Sequence, residues 1–357
     1  MVPLLSIKLL DWFNLNARIL PWRQNPQPYR IWIAEIMLQQ TRVDTVIPYF
    51  NRWMEEFPDI RSVAQADQVD VLRVWEGLGY YARARNLHQA AQIIQEKYHG
   101  ELPKKPEELR SLPGIGEYSA NAIASIAFNV DLPTLDGNIS RVLARLIALE
   151  APVQDKISRQ TLLNFASTLL PIGHAGEFNQ ALMELGALVC LPHKPHCDQC
   201  PLIENCQSFT KGVQEKIPQK LSKKNLPHIT ATAGVIWQNH RVLIAQRPPK
   251  GLLGGLWEFP GGKLEDGETL EDCLLRELKE ELDLPVEIDK KIAVYQHTYT
   301  HFRITLHAYC CHPLTHPIPK PKIQPAFYWV ATSELSQFPM GKIDRQIAQS
   351  IFKESLC

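Results

Sequence analysis

The sequence has no net charge, no membrane-length apolar run and no opening stretch that reads as a secretory leader, and each absence shapes what is expected. Its 38 Lys and Arg balance its 38 Asp and Glu, so any surface for nucleic acid must be local rather than a property of the whole chain. No apolar stretch reaches the roughly 18 residues that cross a bilayer. The opening residues, MVPLLSIKLLDWF, carry neither a basic leader nor a small-residue cleavage site and read as an amphipathic helix. A cytoplasmic chain with no membrane attachment is expected. What is present is ordinary for a globular protein: 357 residues, 45% hydrophobic and 21% charged, enough for one to three domains with real cores.

The chain is organised around residues 109–145. Leu112-Pro113-Gly114-Ile115-Gly116 lies between helical patterns at 106–111 and 117–128. Pro113 stops the first helix, and Gly114 and Gly116 allow a tight turn with close backbone approach. The free N–H groups of the next helix suit a phosphate, although two glycines between helices also make a plain turn. Leu135-Asp136-Gly137-Asn138 opens another helical run, 139–149, where Asp136 reads as an N-cap.

Other helical patterns cover 4–20, ending at Pro21-Trp22-Arg23, then 31–40, 43–57, 67–76, 83–98 and 155–189. Glu35 sits inside the apolar run Ile31–Leu38, where burial raises a carboxyl pKa and lets it hold a proton at neutral pH. Gly77-Leu78-Gly79-Tyr80-Tyr81 reads equally as a wedge for a base stack or as an anchored turn. Cys190, Cys197, Cys200 and Cys206 are spaced C-x6-C-x2-C-x5-C. Their clustering argues for metal in a reducing compartment, zinc or an iron–sulfur cluster. Residues 211–228 form a linker whose lysines 211, 216, 220, 223 and 224 either follow DNA or are simply solvated. Beyond Ile229 strand patterns appear at 235–237, 242–245, 257–259, 292–295 and 304–310, with a charged helix at 268–282 and a Pro-rich loop, 316–321. An α+β domain is expected there.

Several of these stretches resemble the adenine DNA glycosylases of the MutY type, from DWF at 11–13 to the loop at 299–301. The turn LPGIGEY and the following LDGN are similar to the helix-hairpin-helix glycosylases, and EIMLQQT resembles the segment that carries their catalytic Glu. The resemblance implies an all-α helix-hairpin-helix glycosylase domain with an iron–sulfur loop (1–210), a linker (211–228) and an α+β Nudix-like domain (229–357). It implies roles as well. Glu35 and Asp136 would be catalytic, positioned by Tyr118 and Asn138. Gln39, Gln40, Tyr80, Gly114 and Gly116 would meet DNA, and Trp22, Arg23 and Glu184 would line a base pocket. The four cysteines would hold a [4Fe–4S] cluster. Tyr118 stands where bifunctional relatives of the endonuclease III type carry a Schiff-base Lys, so a monofunctional glycosylase with at most weak strand cleavage is expected.

The resemblance further implies a monomer acting on double-stranded DNA with adenine opposite 8-oxoguanine or guanine. FPGGKLEDGETLEDCLLRELKEELDL resembles a Nudix box. Its Glu277, Glu280 and Glu281 share one helix face suited to magnesium and a diphosphate, and Asp283 departs from the usual Gly. Tyr299-Thr300-His301 resembles the family's lesion-reading loop, with Thr300 keeping a hydroxyl. Two alternatives stay open: a mismatch glycosylase for thymine, and a nucleotide pyrophosphohydrolase with a DNA-binding helical domain.

Overall fold

The computed structural model describes residues 2–219, 225–314 and 326–354. Lysines 220, 223 and 224 and the loop 316–321 lie outside the described residues. The chain forms two compact units, Met1–Gln65 with Asn86–Lys223, and Ala66–Arg85 with Lys224–Cys357. Residues 66–85, expected with the helical domain, thus cluster with the second unit. Among the described residues no helix is long and apolar enough to cross a membrane.

The first unit is all-α. Its helices are α1 (Val2–Asn16), α2 (Pro21–Gln24), α3 (Pro28–Leu38), α4 (Val43–Glu56) and α5 (Ile60–Gln65). After α6 (Gln68–Trp75), which belongs to the second unit, the chain returns to the first along α7 (Ala82–Lys97). Then follow α8 (Pro106–Arg110), α9 (Glu117–Phe128), α10 (Gly137–Leu146), α11 (Lys156–Leu169), α12 (Ala175–Leu188) and α13 (Gln207–Thr210). Two expectations change. The helix read as 4–20 ends at Asn16, and Pro21 starts a new turn because a helix's first position needs no N–H. The run 155–189 breaks at Pro171-Ile172-Gly173, since proline and glycine both resist continuation.

Packing explains where the site lies. Ile31, Trp32, Ile33, Ala34, Ile36 and Met37 are all buried, so α3 is an inner helix, packed against α4 and α9. Its one acidic side chain, Glu35, is carried into the interior with it. A second core joins α1, α10, α11 and α12 through Leu9, Ile139, Leu143, Leu162, Phe178 and Leu182. That core fixes α10, and with it the capping Asp136.

The second unit is a mixed six-stranded sheet between two helices. Its strands are β1 (His228–Gln238), β2 (Arg241–Gln246), β3 (Trp257–Glu258), β4 (Val286–Thr298), β5 (Arg303–Pro313) and β6 (Phe327–Val330). Their order is β3-β2-β1-β5-β4, with β6 also on β2. Period-two alternation sorts the side chains. Val235, Val242 and Ile244 face α15 (Lys342–Glu354), with its Ile343, Ile347 and Ile351. Ile236 and Leu243 face α14 (Leu270–Leu282), with its Leu274, Leu278 and Leu282. The charged helix thus carries an apolar stripe, leucines four residues apart, beside its acidic face. Asp283 takes the left-handed cap at φ 52° despite not being Gly. β4 and β5 form a hairpin closed by Tyr299 N–H donating to the Phe302 carbonyl at 2.8 Å, which puts Thr300 and His301 at its tip.

Candidate active site

Glu35, Tyr118, Asp136 and Asn138 line one cavity of about 960 Å³ in the first unit, together with Gln39, Gln40, Gly114, Gly116, Trp22, Arg23 and Glu184. Its volume suits a nucleoside-sized ligand. Glu35 is only 7% exposed. Burial, and then the nearby Asp136, push its carboxyl up to about 7, against the Tyr118 hydroxyl and Arg23, which favour the anion. The Tyr118 hydroxyl donates to Glu35 Oε2 at 3.4 Å.

Asp136 caps α10 by accepting the Ile139 N–H at 2.6 Å. Burial raises its carboxyl above the usual range, while the Ile139 amide, Arg141 and the Asn138 amide favour its ionised form. The cap and the cavity position belong to the same residue. Asn138 accepts from Arg141 Nη2 at 2.9 Å, and a Cβ on Gly186 would come within 2.7 Å of the Asn138 Cβ. Asn138 is thus wedged between two helices.

The same cavity contains an ion cluster. Glu184 accepts Arg18 Nε and Nη2 at 2.7 and 3.0 Å, the Arg18 backbone N–H at 2.9 Å and Arg23 Nη2 at 3.1 Å. Burial opposes its ionisation most strongly, but these hydrogen bonds together outweigh it and hold Glu184 down at about 2. The cavity therefore has one carboxyl that carries a proton near neutrality and one that stays anionic, the separation that marks acid and anion roles. Arg18 was missed in the sequence, because nothing local marks a loop arginine whose partner is 166 residues away.

Gln39 Nε2 donates to Ser119 Oγ at 2.9 Å, tying the end of α3 to α9. Gln40 has φ 58° and Tyr80 φ 51°, left-handed conformations that non-glycine residues adopt at a cost of about 1–3 kcal/mol and that recur at functional sites. Gly114 has φ 78°, and a Cβ there would meet the Asn86 Cβ at 2.9 Å, so only glycine fits this turn. Trp22 is buried, edge-on to Phe50.

Cys190, Cys197, Cys200 and Cys206 surround one small apolar cavity with Val189, Ile203 and Phe209. Burial, and then the neighbouring sulfurs, raise the Cys197 thiol; burial chiefly pushes Cys200 up to about 12. Four sulfurs around one small apolar cavity are a donor set that fits a metal centre. The cysteines are distant from Asp136 in sequence but joined to it by α10. Arg145 Nη1 on that helix lies 3.2 Å from Cys190 Sγ, and Arg141 Nε donates to the Cys190 carbonyl at 2.8 Å. The i, i+4 spacing of Arg141 and Arg145 is a signal the sequence offered.

In the second unit, Tyr80 Oη and Thr300 Oγ1 are hydrogen bonded at 2.9 Å. Tyr299 packs between His297 and Phe302, and His301 is exposed. Arg276 binds Glu268 at 2.6 Å and both Glu277 and Glu280 at 3.3 Å. The Glu277 carboxylate lies against Gly262, in the space that a Cβ there would take.

Residues 33–166 match the HhH-GPD superfamily base excision DNA repair protein family, and residues 232–350 match the NUDIX domain. The adenine DNA glycosylase of Homo sapiens is 33% identical over 91% of this chain and 70% of its own. That of Buchnera aphidicola subsp. Schizaphis graminum (strain Sg) is 36% identical over 84% of each. That of Schizosaccharomyces pombe is 30% identical over 94% of this chain and 86% of its own. Among solved structures, a thermostable thymine-DNA glycosylase superposes with a TM-score of 0.52 at 25% identity, covering 59% of this chain and 97% of that one. A trapped endonuclease III–DNA covalent intermediate, at 23% identity and a TM-score of 0.50, covers 58% of this chain and 95% of that one and shares the fold.

Proposed function

The chain belongs to the adenine DNA glycosylases, and on that premise we propose that it excises adenine mispaired with 8-oxoguanine or guanine in duplex DNA, by flipping the base out and hydrolysing its N-glycosidic bond. The observation that carries this reading is the pair of carboxyls in one cavity, Glu35 pushed up to about 7 and Asp136 held at a helix N-terminus.

Adenine leaves poorly until its ring nitrogen N7 is protonated. Glu35, protonated near neutrality, donates that proton. As the bond to C1′ stretches, the sugar takes on oxocarbenium character, and ionised Asp136 stabilises it or bonds to it transiently, as the paired carboxylates of glycosidases do; water then adds to C1′ and gives up a proton, which completes the hydrolysis. Tyr118 holds the Glu35 carboxyl in place, and Asn138 braces the start of α10. Trp22, Arg23 and Glu184 line the base pocket, where permanently anionic Glu184 fixes the two arginines. The turn of Gly114 and Gly116 holds a phosphate. Gln39, Gln40 and Tyr80 meet the duplex as the flipped base leaves its gap. Without a lysine at position 118 no Schiff base forms, and the strand stays intact. The four cysteines hold a [4Fe–4S] cluster that anchors the loop 190–206, a structural rather than base-directed chemistry.

The Tyr299-Thr300-His301 tip reads the lesion, with the Thr300 hydroxyl facing the base opposite adenine. Replacing Thr300 with Val, which keeps the shape and removes the hydroxyl, is expected to lower the preference for 8-oxoguanine over guanine by about tenfold, the loss of one recognition hydrogen bond. Single-turnover excision from the two duplexes measures it. An unchanged preference would assign lesion reading elsewhere.

A further inference from the structure

Glu76 and Arg345 clamp the turn that carries Tyr80. Arg345 Nε donates to Glu76 Oε1 at 2.6 Å and Nη2 to Oε2 at 2.9 Å, a two-point ion pair. The same guanidinium also donates to the Leu335 carbonyl at 2.8 Å and the Phe338 carbonyl at 2.5 Å. The Met340 N–H donates to Glu76 Oε2 at 3.2 Å. The two side chains are only 21% and 19% exposed. At the other end of the turn, the Tyr81 hydroxyl donates to the Met340 carbonyl at 3.3 Å and accepts the Gly77 N–H at 3.1 Å. Residues 76 and 81 are thus fastened to one short stretch, 335–345.

Between these fastenings Tyr80 is held at φ 51°, 43% exposed as a residue and with its hydroxyl on Thr300. A left-handed tyrosine persists only where its surroundings over-determine it. A planar guanidinium paired at two points fixes direction as well as distance, which a lysine would not. We propose that Glu76 and Arg345 are positioning residues for mispair recognition, their ion pair keeping the Tyr80 hydroxyl registered on Thr300. This rests on the reading of Tyr80 and Thr300 given above. It adds two residues that meet neither the flipped base nor its partner and act only through Tyr80.

The test is single-turnover excision of adenine opposite 8-oxoguanine and opposite guanine by the full chain carrying Glu76→Gln, Arg345→Met or Arg345→Lys, each with and without Tyr80→Phe. Each of the first two lowers the ratio of the two rates by about tenfold, within the range of directly coupled residues. Arg345→Lys, retaining the charge and a single contact, falls between wild type and Arg345→Met. In the Tyr80→Phe background none of them lowers the ratio further. A fastening that is only structural gives another pattern: an unchanged ratio with a lower melting temperature, or an equal further drop in the Tyr80→Phe background. Either result overturns the proposal. If Tyr80→Phe and Thr300→Val alone leave the ratio unchanged, the lesion-reading assignment itself fails and the positioning role falls with it. If those two lower the ratio while Glu76→Gln and Arg345→Met do not, only the positioning role is lost.

Discussion

Glu35→Gln is expected to slow adenine excision by about a thousandfold while leaving duplex affinity intact, within the range spanned by general acids. Gln has the shape and polarity of Glu but no proton to give. The change also removes a charge whose burial is unfavourable, since burial and Asp136 already push the Glu35 carboxyl up to about 7. The fold therefore tolerates it. Single-turnover rates and a binding titration separate the two effects, and near-normal excision would place the acid elsewhere. The same shift fixes a pH dependence. An acid must be protonated to act, so excision declines as pH rises through about 7. Asp136 must be ionised, and its carboxyl is also raised by burial, so a second decline lies on the acid side. In Glu35→Gln the residual rate loses the alkaline decline.

Asp136→Asn is expected to cost about a hundredfold or more in excision with little change in melting temperature. Removing a charge aimed at a developing one in a water-poor site commonly costs that much. Stability holds because Asn caps a helix about as well as Asp, and the cap is an observed bond to the Ile139 N–H. Asp136→Ala removes both functions and adds a stability loss of about 1 kcal/mol. Thermal unfolding beside excision kinetics distinguishes cap from chemistry. Equal excision by Asp136→Asn and the parent would leave Asp136 as a cap alone.

Much of the site was legible because its signals are local. A proline and two glycines between helical patterns mark the turn at 112–116, and the helix read as 117–128 is found at those residues. An Asp before Gly-Asn marks the start of α10, and an acid inside an apolar run marks Glu35. What escaped depends on distant partners. Glu184 gains its charge state from Arg18 and Arg23, more than 150 residues earlier. β1 runs from His228 because it pairs in parallel with β5, 75 residues on, whereas its own sequence shows only a short apolar core. β6 and α15 carry an aromatic run and isoleucines four residues apart, and they pack on β2 and on the sheet. Residues 66–85 carry a helical sequence pattern, but Glu76 and Tyr81 find their partners at 340 and 345, so they cluster with the strands.

The most direct measurement uses a duplex with one adenine opposite 8-oxoguanine, incubated with the protein and then divided between alkali and neutral buffer, with Glu35→Gln and Asp136→Asn in parallel. Strand breaks at that adenine after alkali alone, absent in both variants, are expected of a base-excising enzyme that uses these carboxyls and forms no Schiff base. Breaks of equal yield without alkali, or an adenine left in place by the unmodified protein, would contradict the account.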